Sequence, residues 1–164
     1  MHKFIVFSLV VCTFFILSTH YSFAQLYIPV SILKLQAYRG DAVAQLELGN
    51  AYFWGRGTNK NVNEAFKWYK TAAEHGEIIA ANNLGGMYYR GEGVGKNIIE
   101  GFAWFLICKK YHGYVRNLNI RTQLKELTRT AYFDIELSFT DEEKSKAYKR
   151  FAEIDSYFKD RVRR

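Results

Sequence analysis

Proline occurs once in this chain, at Pro29, and no glycine follows Gly113. The residues that most often break helices are therefore missing from 114–164, and long helices are open to that stretch. Cysteine is nearly as scarce: Cys12 and Cys108 are the only two. Cys12 lies in an apolar run at the start, and once that run is removed Cys108 has no disulfide partner within its own chain. A stapled fold is excluded, and Cys108 reads as a small buried apolar residue. Beyond the leader only His75 and His112 remain of the histidines. Both stand beside a glycine at an expected helix end, without Cys or carboxylate partners at ligand spacing, so no metal site is read.

Signatures of catalysis are equally thin. The segments "GRGTNKN" and "GEGVGKN" match neither phosphate-binding glycine pattern, and no strand precedes them. No serine has G-x-S-x-G context, and Ser145 and Lys146 are adjacent rather than spaced. Glu64 and Glu100 recur as a pair, but helix capping accounts for them. No catalytic residue and no cofactor is assigned, which leaves a non-enzymatic protein. Aromatic and basic residues interleave in "FKWYK" and "YKRF", a mixture that single-stranded nucleic acid favours. The aromatics fall at helical core spacing instead, so nucleic acid is not expected as a partner.

What is present begins with Met1-His2-Lys3, then an apolar run from Phe4 to Leu17, a more polar Ser18–Tyr21 and the end Ser22-Phe23-Ala24. The run is shorter than the ~20 residues a spanning helix needs. Residues 1–24 are expected to be a cleavable signal peptide, which sends the chain to the periplasm or outside the cell. The formal net charge of +7 falls by one with the loss of Lys3. It favours anionic partners such as a membrane surface, a wall polymer or an acidic protein. The densest basic stretch is the tail, Lys159, Arg161, Arg163 and Arg164.

"AYFWGRGTNKNVNEAFKWY" at 51–69 is written again as "MYYRGEGVGKNIIEGFAWF" at 87–105. A shift of 36 residues, from Gly55 to Gly91, superposes Leu48, Gly49 and Tyr52 on Leu84, Gly85 and Tyr88. Gly57 falls on Gly93 and Trp68 on Trp104. Two Gly-x-Gly turns in register are beyond composition bias, and a period of this size marks stacked supersecondary units. Each unit reads as two helices. Asp41 caps the first, which runs from Ala42 to Trp54 with Ala44, Leu48, Ala51 and Tyr52 on a buried stripe. Gly49 in its middle implies a close neighbour. Gly55 and Gly57 turn the chain, and Asn61-x-x-Glu64 opens the second helix, as Asn97-x-x-Glu100 does in the next copy. Ala65, Trp68, Tyr69 and Ala72 face inward.

Those residues resemble the Sel-one-like repeat (SLR) family, relatives of the tetratricopeptide repeats. The first copy supplies the family's Ala44, Leu48, Gly49, Tyr52, Gly55, Gly57, Trp68 and Gly76; the second supplies Leu84, Gly85, Tyr88, Gly91, Gly93 and Trp104. Gly101 departs by replacing an alanine, and Cys108-Lys109 departs by replacing an Ala-Ala pair. The resemblance implies an all-α fold, a short α-solenoid of stacked antiparallel hairpins. It also implies protein–protein interaction as the usual role, often in bacterial envelope or host-contact settings. Cysteine-rich secreted relatives imply an alternative, a wall-fragment or β-lactam binder or hydrolase, but they carry a cysteine pair per unit that this chain lacks.

The expected organisation is a partial repeat helix over 25–40, repeats over 41–76 and 77–113, and capping helices with a basic tail over 114–164. Ile32, Leu35 and Tyr38 are expected to cover the first open end. Ile120, Leu124, Leu127 and Ala131 would pack the first closing helix, with a break across Phe133–Phe139. Ala147, Phe151, Ile154 and Phe158 would pack the last one, after the capping box Thr140-x-x-Glu143. About seven helices and no sheet result. First helices line the concave side of such stacks, so positions there that differ between copies are free to specialise. Glu47, Asn50, Trp54, Asn83 and Arg90 are the expected partner-binding residues of an exported adaptor. Attachment to an anionic membrane through the basic tail is a second alternative.

Overall fold

Asp41 accepts hydrogen bonds from the amides of Val43 and Ala44, at 2.9 and 3.1 Å, and so starts a helix that ends where Gly55 takes φ +72°. The same grammar of cap and glycine sets most boundaries in the computed structural model, which describes residues 28–162. The leader expected over 1–24, with Cys12, lies outside the described residues, as do Arg163 and Arg164 of the tail. Seven α-helices and no strand occur among the described residues: α1 (Val30–Tyr38), α2 (Ala42–Trp54), α3 (Val62–Glu74), α4 (Ile78–Arg90), α5 (Ile98–Tyr111), α6 (Leu118–Ser138) and α7 (Asp141–Arg161). A 3-10 turn, His112–Tyr114, links α5 to α6.

Asn61 and Asn97 cap α3 and α5 by accepting from the amides of Glu64 and Glu100, at 3.1 and 3.0 Å. Their glutamates turn elsewhere. Glu64 holds Lys67 at 2.5 Å on the surface. Glu100 accepts from Trp104 Nε1 at 3.0 Å and, with both oxygens, takes the Nε–Nη2 edge of the Arg150 guanidinium. Among the described residues only Thr140 and Glu143 complete the reciprocal box.

α2 packs on α3, α3 on α4, and α4 on α5, so the two copies form adjoining hairpins. The joint is tight because glycines sit at it. A Cβ on Gly49 would fall 2.6 Å from the Tyr69 ring, and one on Gly101 would fall 2.8 Å from the Gly85 carbonyl oxygen. The neighbour that Gly49 accommodates is thus an aromatic ring of α3, and Gly101 replaces alanine because the α4 backbone occupies the space. The second turn also serves stacking: a Cβ on Gly93 would lie 2.5 Å from Val62 O at the start of α3. Trp104 is buried, whereas Trp68 is half-buried beside Leu33, Ala37, Ala44 and Leu48. Tyr38 meets its indole edge-on at 5.3 Å.

Two packing expectations are corrected. On α1 the buried pair is Leu33 and Ala37, while Ile32 and Leu35 are exposed, and Tyr38, also exposed, only edges onto Trp68. On α6, Leu124 is buried but Ile120 and Leu127 are exposed; the side chain of Ala131 lies outside the description. The true inner face continues through Thr128, Tyr132 and Ile135. A hydroxyl can occupy it because Thr128 Oγ1 bonds Leu124 O at 2.7 Å and meets Cys108 Sγ at 3.1 Å. The break expected across Phe133–Phe139 is shorter and later: α6 runs to Ser138, Phe139 closes it as a buried C-cap, and Thr140 caps the next helix. On α7 the expected face holds, with Ala147, Ile154 and Phe158 fully buried.

The closing helices do not form a third stacked hairpin. α6 and α7 each pack mainly on α5, from two sides, which is why nine residues of α5 are buried. Cys108 stands where a repeat would carry alanine and faces α6 instead of another unit; burial pushes its thiol up to about 11. The end of α7 reaches back to the joint between the repeats. Arg161 Nη1 donates to Glu74 O, and the Arg161 backbone lies 2.8 Å from where a Gly76 Cβ would be.

Candidate functional site

α2 and α4 occupy the same place in successive hairpins, so their outward faces border one groove. Its cavity is about 600 Å³, within the ~300–1,000 Å³ typical of ligand clefts. α2 contributes Asn50, Phe53 and Trp54; α4 contributes Asn83, Met87 and Arg90. Four of the five residues expected to bind a partner therefore meet on one surface. Glu47 does not line it. That carboxylate borders a neighbouring cleft of about 360 Å³ beside Ile28, Val30 and Leu33 of the N-terminal end. It joins the groove through a bond, accepting from Asn50 Nδ2 at 3.3 Å.

The floor is Tyr69, which periodicity alone assigns to the core. Its ring does pack inward against Gly49, but its hydroxyl donates to Asn50 Oδ1 at 2.8 Å. Burial and then the nearby Glu47 charge raise its pKa far above the ordinary phenol, with Arg56 and an Asn83 side-chain bond opposing. The phenol stays neutral and holds two amides, one from each repeat, in fixed orientation. Trp54 is 61% exposed. Its indole meets Phe53 edge-on at 4.9 Å and has the Arg56 guanidinium 5.9 Å from its centroid. Arg90 pairs with Glu92 at 2.9 Å, which sets a cation and an anion side by side on the rim. The groove thus offers one wet aromatic plate, an ordered amide pair and a rim of both charges.

Lys60, Tyr69 and Glu92 were missed in the sequence. One signal was available: the middle residue of Gly-x-Gly is Arg56 in the first copy and Glu92 in the second, a reversal of charge at equivalent positions beside the groove. Tyr69 had none, because a tyrosine at core spacing looks the same whether or not its hydroxyl surfaces.

The other candidate groups are engaged singly. His75 Nδ1 lies 2.7 Å from Gln45 Oε1, and Gln45 Nε2 donates to Ala37 O at 2.9 Å, a buried polar bridge that fastens α1 to the first repeat. His112 Nδ1 lies 2.8 Å from Lys109 O. Among the described residues no three His, Cys, Asp or Glu side chains gather as metal ligands, and no helix is long and apolar enough to cross a membrane.

The Sel1 repeat family matches residues 42–77 and 78–107. No curated protein matches the sequence. Among solved structures, a protective antigen of uropathogenic Escherichia coli strains displaying an SLR fold superposes with a TM-score of 0.69 at 25% identity. That alignment covers 81% of this chain and 26% of the antigen, so the chain spans about a quarter of that protein's length. A Sel1 repeat protein from Oxalobacter formigenes aligns at 27% identity and a TM-score of 0.48, over 73% of this chain and 97% of its own.

Proposed function

We propose, from the premise that this chain carries two Sel1 repeats in an SLR fold, that it is an exported adaptor that takes a partner protein in the groove between α2 and α4. Sel1 repeats generally mediate protein–protein interaction and are typically non-enzymatic. The observation that supports placing the partner here is the convergence of Asn50, Trp54, Asn83 and Arg90, drawn from two repeats, around one cavity. An exposed indole held edge-on by Phe53 loses little freedom when covered, and aromatic and arginine anchors carry most interface energy. The Tyr69–Asn50 bond presents amide donors and acceptors already oriented, as a backbone-reading surface requires.

Capture from an envelope extract tests this reading. Chain 25–164 is compared with a variant carrying Trp54→Ala and Arg90→Glu, both at exposed positions. Loss of a captured protein from the variant supports the groove; equal capture by both forms refutes it. Export is tested separately, by N-terminal sequencing of the protein recovered from cells expressing all 164 residues. A start at Gln25 supports it, and a start at Met1 refutes it.

A further inference from the structure

A further cavity, of about 360 Å³, opens between α5 and α6. Its walls are apolar: the Tyr132 and Phe133 rings, with Cys108 at its floor. Every ionisable side chain on its border other than Cys108 and Tyr132 is basic: Lys109, His112, Lys125 and Arg129. A cleft with dry walls and a rim of one charge sign is not what packing alone requires. Neighbouring positions along α6 supply both features, since Arg129 and Phe133 are one helical turn apart, as are Lys125 and Arg129.

The cations differ in what already holds them. Arg129 donates to Glu126 at 3.0 Å. The Lys109 ammonium lies 3.5 Å from the centroid of Tyr132, a cation–π contact that seats its charge at the mouth. Among the described residues Lys125 has no carboxylate within ion-pair distance. Tyr132 is itself fixed, its hydroxyl donating to Glu136 at 2.6 Å and its ring stacked on Phe102 at 5.1 Å. The wall is therefore rigid, and the positive rim has spare capacity.

We propose that this cavity binds a small organic monoanion with an apolar body, of the class of medium-chain or aryl carboxylates. The body displaces water from the ring-lined interior, and the carboxylate sits at the mouth between Lys125, Arg129 and Lys109. The volume is near the lower end of the range for ligand clefts, which suits one chain or ring rather than a two-tailed lipid. The site is separate from the groove between α2 and α4 and does not depend on any partner being bound there.

Titration calorimetry on chain 25–164 tests this with three probes: decanoate, decanol and acetate. Decanoate should bind with one-to-one stoichiometry, decanol at least tenfold more weakly, and acetate not measurably. Lys125→Glu with Arg129→Glu, which gives up the exposed Arg129–Glu126 pair and so should lower the melting temperature only slightly, should weaken decanoate at least tenfold and leave decanol unchanged. Phe133→Asp, also exposed, should weaken decanoate and decanol together. Equal affinity for decanoate and decanol would overturn the proposal, as would undiminished decanoate binding by the charge-reversed variant. Many decanoate molecules per chain would also overturn it, because that pattern describes surface adsorption.

Discussion

Gly86 and Gly101 are both helical glycines near the joint of α4 and α5, yet alanine should have opposite effects at the two. In a helix interior Gly→Ala gains about 1 kcal/mol from reduced backbone freedom in the unfolded chain. At Gly86 the nearest atoms to a new Cβ are the Arg90 guanidinium nitrogens, at 3.1 and 3.3 Å. They belong to the tip of a flexible, exposed side chain and can move aside, so most of the gain survives. At Gly101 the new Cβ would lie 2.8 Å from Gly85 O and 3.1 Å from Tyr89 N. Both are α4 backbone, and relief needs the two helices to part by roughly half an ångström. Overpacking of that kind costs about 1–3 kcal/mol, which cancels or outweighs the propensity gain. The two variants should therefore differ by about 1–3 kcal/mol, with Gly86→Ala the more stable. Urea unfolding followed by circular dichroism reads this as a separation of midpoints at constant slope. In heat, each kcal/mol is worth roughly 3–6 °C for a domain of this size. If Gly101→Ala melts at or above Gly86→Ala, the account of why a glycine replaces the family's alanine here is wrong.

Arg150→Met should cost about 1–2 kcal/mol, because it leaves the largely buried Glu100 carboxylate with only the Trp104 bond; Glu100→Gln in the same chain should recover part of the loss, measured as a double-mutant cycle. Burial raises the Asp155 pKa, but the bonds from Lys110 and Tyr111 outweigh it and hold the carboxyl below its ordinary range. Its contribution is present above the unfolded carboxyl pKa and disappears as pH falls through the folded one. Asp155→Asn should melt lower at pH 7 and match the parent in acid; a gap that persists in acid would refute this. Glu77 has the opposite sign, since burial raises its pKa despite the bond from Ile79 N, and Glu47 adds to the rise. Glu77→Gln should thus compare best with the parent at neutral pH and lose that advantage as pH falls, read from the same melting series.

The caps and glycines made the repeats legible. Asp41, Asn61, Asn97 and Thr140 mark helix starts, and Gly55 and Gly91 mark ends, because each meets a local need for a bond or a positive φ. Four groove residues were legible for a related reason, as positions on equivalent helices that differ between copies. What failed was facing on α1 and α6. Ile32, Leu35, Ile120 and Leu127 are as apolar as true core residues, and only the neighbouring helices decide which stripe is covered. On α6 the deciding partner is Thr128, whose hydroxyl is acceptable inside only because Leu124 O and Cys108 lie within reach. No pattern of apolar spacing contains that information.

The return of α7 to Gly76 limits how this architecture could change in size. In an open-ended array another unit can be spliced in wherever two units meet, since each touches only its neighbours. Here an extra hairpin inserted between Gly76 and Glu77 would carry Glu74 O away from Arg161, while one added after Tyr111 would find both flanks of α5 already occupied. The array is thus latched at its C-terminal side, and neither insertion leaves the latch in place.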